Sequence, residues 1–370
     1  MQAAPSQRLG PSLPGRLDSV DALRGLTVAA MIFVNDPGNW SHLWWPFAHA
    51  DWHGCTPTDL IFPTFLFIVG VSLALAGGPR LDAGVDVAPL QRAWFWRALR
   101  ILLLGWVLSA LIGLSFGTHW RPLGVLQRIA ICFGLVGWLY LHVSPRARWS
   151  LWAALLAGYG LLLNTGEDLG RHTSLPSRLD ATLLGPLAYR YDPATGLGYE
   201  PEGLLSTLGA LATTLFGAAC GDWLRRSERR LIVFAGVAAA FSGIAVHALW
   251  QPMNKALWTP AFMLFTGGVA ALVLVLLHTA IDRHGAPPFG RRFGVNAITA
   301  YAGSMLMVCA MYGVKWDGRS LHARLYETGF GWMVPHIGAE AASHAWALLQ
   351  VAFWWAVLRW MDARRIRISI

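Results

Sequence analysis

Charge is what this sequence has least of. Of its 370 residues only 13% are Asp, Glu, Lys or Arg, while 55% are hydrophobic. A soluble chain carries about 25% charged residues, so an ordinary water-facing surface is excluded. Cysteine is sparse as well. The four cysteines, Cys55, Cys132, Cys220 and Cys309, have no C-x-x-C spacing, which argues against a disulfide framework and against a thiolate zinc site. The apolar runs show no period-two alternation, so membrane strands closing into a barrel are set aside in favour of helices. There is no internal repeat, heptad seam or low-complexity tract. No small-residue cleavage site follows the first apolar run, so no cleavable signal peptide is expected.

What is present is a series of long apolar runs. At about 20 mostly apolar residues per span, they read as ten helices, near 18–35, 59–77, 93–116, 123–142, 149–164, 204–223, 231–250, 259–278, 292–312 and 341–361. The expected fold is all-α, a polytopic membrane helix bundle. Residues 1–18 read as a disordered arm and 19–370 as a single transmembrane domain. The 20 tryptophans suit aromatic belts at the two interfaces. The net charge of +9 is explained by topology rather than by a nucleic-acid partner. With the N-terminus inside, the arginine clusters at Arg97 and Arg100, Arg225–Arg230, Arg291 and Arg292, and Arg364 and Arg365 fall in inner segments. Both termini are then cytoplasmic. Two outer connections, 165–203 and 313–340, are longer than plain linkage needs and read as lids or binding loops.

The chemistry concentrates in residues 34–65. This stretch holds His42, His49 and His53, the short acids and amides Asn35, Asp36, Asn39 and Asp51, several aromatic rings, and no Lys or Arg. Asn35 ends one span and Asp59 begins the next, so both can stand beside His49. An imidazole is the side chain suited to moving a proton near neutral pH, and a neighbouring carboxylate fixes its tautomer. Two other readings stay open. The polar residues can be interfacial groups bonded to loop backbone. His49 and His53, four apart, can be metal ligands, although the glutamate of the zincin pattern is missing between them. Asp21, Arg24, Arg128 and Lys255 sit in or at the edges of spans, where charges pair or line a cavity.

Seven motifs follow one another: SVDALRG (19–25), FVN (33–35), HADWHGCTPTDLIFPTFLFIVG (49–70), GVLQRIA (124–130), EPEGLLSTLGA (200–210), NKALWTP (254–260) and GVNAITAY (294–301). In this order they resemble heparan-α-glucosaminide N-acetyltransferase and its bacterial homologues, which are multi-span membrane acyltransferases. The resemblance runs from about Ser19 to the last span and fits the shorter bacterial form. It implies a multi-pass protein of the bacterial inner membrane that moves acetyl from cytoplasmic acetyl-CoA to the amine of a glucosamine-type sugar on the periplasmic side, without a metal. It implies His49, Asn35 and Asp59 as catalytic residues. Trp52, His53, Arg128, Glu202, Asn254 and Lys255 are the expected sugar-binding residues. For the coenzyme the expected residues are Asn296 and the arginines Arg24, Arg97, Arg100, Arg291 and Arg292, whose guanidinium groups suit its phosphates. The sequence departs from the family pattern at His53, where an asparagine is usual, and at Asp36-Pro37-Gly38, where glycines are usual. His49 can act as a base or carry the acetyl group itself. The expected partners are an amino sugar and the lipid bilayer, with a homodimer left open. The alternatives are a sugar permease without chemistry and an acyltransferase for a cell-envelope glycan.

Overall fold

A computed structural model describes residues 17–368, so the arm expected over 1–18 lies almost wholly outside the described residues. Five helices come first: α1 (Asp18–Asn35), α2 (Ile61–Asp82), α3 (Ala88–Phe116), α4 (Val125–His142) and α5 (Pro145–Leu163). A short helix α6 (Leu175–Leu184) and a hairpin of β1 (Arg190–Asp192) and β2 (Leu197–Tyr199) follow. Next are α7 (Ser206–Arg225), α8 (Arg229–Leu249) and α9 (Pro260–Leu277), the last running on as a π-helical turn to Arg283. The chain continues through α10 (Arg291–Val295), α11 (Ala297–Gly313), the two-residue strands β3 (Lys315–Trp316) and β4 (Arg319–Ser320), α12 (Leu321–Phe330), α13 (Val334–Ile337) and α14 (Ala339–Ala363).

Helices occupy the ten segments read as apolar spans, except that 292–312 is divided between α10 and α11 at Asn296. Among the described residues, six helical segments are long and apolar enough on their own to cross a membrane: Pro57–Asp82, Ala88–Phe116, Val125–His142, Arg229–Leu249, Pro260–Arg283 and Ala339–Ala363. The chain is therefore a multi-pass helical membrane protein. α11 is a shorter apolar helix, and α1 carries Asp18, Asp21 and Arg24 in its first two turns.

Two differences from the sequence reading have clear causes. Helix α2 continues past Gly77-Gly78-Pro79 to Asp82 instead of stopping near 77. Tertiary packing carries it through: a Cβ on Gly77 would lie 3.0 Å from the Trp94 ring, and one on Gly78 only 2.4 Å from Arg225 Nε. The connections 165–203 and 313–340, read as loops, also carry short helices and hairpins. In 165–203, Asp192-Pro193 opens a tight turn closed by Gly196 at φ 68°, whose N–H donates to Asp192 O at 2.8 Å, and this folds β1 onto β2.

Small residues let the helices that frame the site approach closely. At the α2–α7 seam a Cβ on Gly70 would stand 2.0 Å from Thr214 O, and one on Gly217 would stand 2.1 Å from Phe67 O. Here the two backbones touch with no side chain between them. Beside this seam Trp258 is fully buried, edge-on to Phe62 of α2 and Phe262 of α9.

Candidate active site

The site is built where the chain enters α2. Thr56 and Asp59 form a capping box around a 3₁₀ turn, Pro57–Leu60, with Pro57 fixing the first helical φ. Asp59 Oδ2 accepts from Thr56 N at 3.1 Å and from Ala50 N at 3.0 Å. This leaves Oδ1 free to face the preceding loop. His49 Nδ1 lies 2.7 Å from that oxygen. The Asp59 side chain is 1% exposed and that of His49 is 50% exposed, so the carboxylate is a buried brace and the imidazole reaches into open space.

A third charge completes the group. Lys255 Nζ lies 3.4 Å from Asp59 Oδ1 and 3.1 Å from His49 Nδ1. Since Asp59 takes the hydrogen on Nδ1, the ring has no lone pair there for Lys255, and the ammonium rests against the carboxylate. Lys255 comes from the 250–259 loop, which Asn254 holds in place. Asn254 Oδ1 accepts from Leu257 N at 2.8 Å, and Nδ2 donates to Trp52 O at 2.9 Å. Gly54 N adds a bond to Met253 O at 2.7 Å. Burial pulls the Lys255 ammonium below the ordinary lysine pKa, with Asp59 and Glu202 opposing that pull.

His49, Asp59 and Lys255 line one end of a cavity of about 440 Å³. Its walls also carry Trp52, Tyr189, Tyr199, Arg121 and Glu202. Trp52 and Tyr199 meet edge-on at 5.7 Å, and Trp52 Nε1 donates to Leu169 O at 2.8 Å, tying the long 164–205 connection over the cavity. Arg121 is gripped by Glu200 and also reaches Glu202 Oε2 at 3.1 Å. Burial works against its charge, but Glu202 and Glu200 hold its guanidinium above the ordinary arginine value. Burial raises the Glu200 carboxyl. Glu202 feels the same burial penalty, yet Arg121, Arg128 and Lys255 keep it below the usual glutamate range.

A second cavity, of about 350 Å³, lies on the opposite side of Tyr301, Val125 and Leu126, which line both. Its walls are mostly apolar, with Arg24, Arg97, Arg367 and Ser72 as the polar exceptions. Arg24 donates to Ser72 Oγ at 2.8 Å and pairs with Asp21 at 2.9 Å. Among the described residues Arg97 and Arg367 make no ion pair. Two chambers therefore meet at Tyr301, Val125 and Leu126, the first polar and aromatic, the second apolar with a basic rim.

The structure sorts the residues expected from the sequence. His49, Asp59, Trp52, Glu202 and Lys255 share the first cavity; Arg24 and Arg97 share the second. Asn35 is the half-buried last residue of α1 and lines neither cavity. His53 is exposed, with Nδ1 3.4 Å from Asn254 Nδ2. Arg128 is fully buried, donating to Gly203 O at 3.1 Å and to Ser206 Oγ, with Trp258 5.1 Å beneath its guanidinium. Arg128 and Asn254 thus stand behind the cavity wall as struts. Arg100 bonds its own helix at Trp96 O. Arg291 pairs with Asp18 at 2.9 Å, and Arg292 lies 3.8 Å from Asp362. Asn296 is buried between α10 and α11. Sequence reasoning missed Arg121, Tyr189, Tyr199, Tyr301 and Arg367 as wall residues. Arg121 stands three residues before the GVLQRIA motif and Glu200 two before Glu202, which was the available signal for the Arg–Glu clamp.

A family model described as heparan-alpha-glucosaminide N-acetyltransferase, catalytic, matches residues 16–253. The chain is similar to two curated proteins named heparan-alpha-glucosaminide N-acetyltransferase. It is 27% identical to that of Homo sapiens over 355 residues, covering 79% of this chain and 53% of the relative. It is 26% identical to that of Mus musculus over 358 residues, covering 79% and 54%. The chain spans about half the length of the curated relatives it matches.

Proposed function

The chain belongs to the heparan-alpha-glucosaminide N-acetyltransferase family, and from that premise we propose that it is a membrane acetyltransferase. It takes acetyl from acetyl-CoA on the cytoplasmic side and delivers it to the amine of a glucosamine-type sugar or glycan on the outer, periplasmic side of the inner membrane. The observation that carries this reading is the pair of chambers meeting at Tyr301, with a carboxylate-braced histidine in one and a basic, apolar wall in the other. In this reading residues 19–370 form one domain of ten spans. Both termini lie inside and residues 36–58 lie outside, in keeping with the inner arginine clusters.

The fit to the donor rests on the second chamber. An apolar wall suits the pantetheine arm, and Arg24, Arg97 and Arg367 suit the phosphates. The thioester then reaches the first chamber beside His49. Asp59 holds the Nδ1 hydrogen, so Nε2 keeps its lone pair. In the direct route Nε2 takes the proton as the sugar amine bonds to the thioester carbon. The carbon–sulfur bond breaks, and the proton passes on to the departing thiolate. In the two-step route Nε2 attacks the thioester carbon, the carbon–sulfur bond breaks and coenzyme A leaves as its thiolate; the amine then bonds to the acetyl carbon, the bond to Nε2 breaks, and Nε2 takes the amine proton. Trp52, Tyr189 and Tyr199 offer aromatic faces to the sugar rings, and Glu202 and Lys255 offer polar contacts. A permease reading of the same chambers leaves the His49–Asp59–Lys255 arrangement without a task.

The test is acetyl transfer by the purified chain in proteoliposomes, using labelled acetyl-CoA and glucosamine, its oligomers and amino-sugar glycans of the cell envelope. The expected result is acetyl-CoA consumption that depends on one of these amines. Consumption no greater than in empty liposomes with every acceptor would defeat the reading.

A further inference from the structure

Sharing no wall residue with either chamber, the start of α5 and the end of α7 enclose a groove of about 160 Å³. One end is charged, with Arg148, Asp222 and Arg226. The other is apolar, with Leu215 and Trp152. Between them Trp149 and Trp223 face each other at 5.6 Å, and Trp149 meets Trp152 at 5.4 Å, so three indoles form a continuous wall. The acetyltransferase reading gives this groove no role.

The polar end is built with donors to spare. Asp222 is satisfied from within: Tyr140 Oη donates to Oδ1 at 2.6 Å and Arg225 Nε at 3.0 Å. Arg148 stacks 4.1 Å over the Tyr140 ring and makes two long bonds, 3.3 Å to Asp222 Oδ2 and 3.4 Å to Tyr140 O. A guanidinium has five N–H donors, so most of those on Arg148 remain unused although its side chain is only 11% exposed. Arg226 is exposed and, among the described residues, makes no ion pair.

Polarity along the groove runs from guanidinium through indole to aliphatic side chains. A phospholipid shows the same order from phosphate through glycerol ester to acyl chain, and tryptophan favours the ester level of a bilayer. Asp222, already holding three partners, has little left for a lipid ammonium. We propose that this groove binds an anionic phospholipid of the inner leaflet, its phosphate on Arg148 and Arg226 and its glycerol region against the three tryptophans. Assignment to the inner leaflet rests on the topology given under the proposed function. Basic pockets between membrane helices on the cytoplasmic side hold such headgroups, with about 1 kcal/mol from each basic residue.

The test is native mass spectrometry of the purified full chain titrated with phosphatidylglycerol, phosphatidylethanolamine or phosphatidylcholine of matched chains. Phosphatidylglycerol should be retained in preference to the other two. Arg226→Gln, at an exposed position, should weaken it about fivefold, the equivalent of that single-residue contribution. Ala219→Phe, which fills the groove without changing charge, should remove the preference. Equal retention of the three lipids, or an Arg226→Gln protein that keeps the full preference, would overturn the proposal; if Ala219→Phe fails to fold, the Arg226 result decides alone. Binding in detergent has no sidedness, so a reporter placing Arg226 outside would overturn the topology and leave the groove standing.

Discussion

Asp59 holds His49 with one oxygen and its own helix turn with the other. Oδ1 lies 2.7 Å from His49 Nδ1, while Oδ2 takes the N–H groups of Ala50 and Thr56. The acid that starts α2 is therefore also the acid that orients the imidazole, and the two tasks compete for nothing.

That division predicts how the site fails. His49→Ala should lose roughly 10²–10⁴-fold in acetyl transfer, the range of a positioned base, while the protein stays monodisperse because the ring is half exposed. In Asp59→Asn the amide oxygen should go to the N–H groups of Ala50 and Thr56, leaving the amide NH₂ facing His49. The ring must then carry its hydrogen on Nε2, so this variant should lose nearly as much as His49→Ala. His53→Asn, outside both chambers, should stay within a few-fold of wild type. Steady-state transfer assays on the three purified proteins check this. Full activity in His49→Ala would sink the mechanism.

Arginines at the second chamber should separate from those elsewhere. Arg97→Gln and Arg367→Gln should raise the KM for acetyl-CoA and leave the acceptor KM nearly unchanged, the pattern of lost donor binding. Arg100→Gln and Arg292→Gln, which lie outside the chamber, should change neither. The reverse pattern would move the coenzyme to another face.

Topology is open to direct measurement. Reporter fusions at Gly117, after α3, and at Arg146, at the start of α5, should report opposite sides of the membrane, with Arg146 inside. Equal signals at both positions would break the proposed arrangement.

Asp180 makes a pH prediction. Its side chain is buried in α6, and burial pushes its carboxyl up to about 6, despite the Leu204 N–H it accepts. A raised carboxyl pKa stabilises the fold fully below the unfolded value and loses that contribution as pH rises through the folded one. Thermal stability should therefore fall by on the order of 2–3 kcal/mol between about pH 4 and pH 6 through this group. Asp180→Asn keeps the bond to Leu204 and should flatten that part of the curve. Parallel melting curves for the two proteins across this range would show that Asp180 does not titrate there.

The helices were legible because length and hydropathy are local properties, and a helix was found in every apolar run. The end of α2 was not, because Gly77-Gly78-Pro79 reads as a stop and only the Trp94 and Arg225 side chains packed on those glycines explain its continuation. In the site, His49 and Asp59 were legible since they lie ten residues apart in one motif. Lys255 was visible as a lone cation at the edge of an apolar run, but its place on Asp59 depends on a loop 196 positions from that acid in sequence. Arg128 and Asn254 stand behind the wall and not on it, a placement their motifs do not reveal, because a polar residue in a motif can hold up a wall as well as line it. Tyr301 could not be found from sequence, because a junction between two chambers exists only once α4 and α11, each packed on α3, bring Val125, Leu126 and Tyr301 to the same space.

The bare backbone contact at Gly70 and Gly217 makes α2 and α7 a stator. Two helices meshed at that distance cannot slip without one ridge climbing over the other, so the Asp59 end of α2 keeps a fixed height against α7. Any motion that opens one chamber as it closes the other must then be carried by helices outside this pair, and α3, α4 and α11 are the ones that line both chambers. Spin labels on α2 and α7 should keep one distance whether or not coenzyme A is present, and labels on α3 and α7 should not.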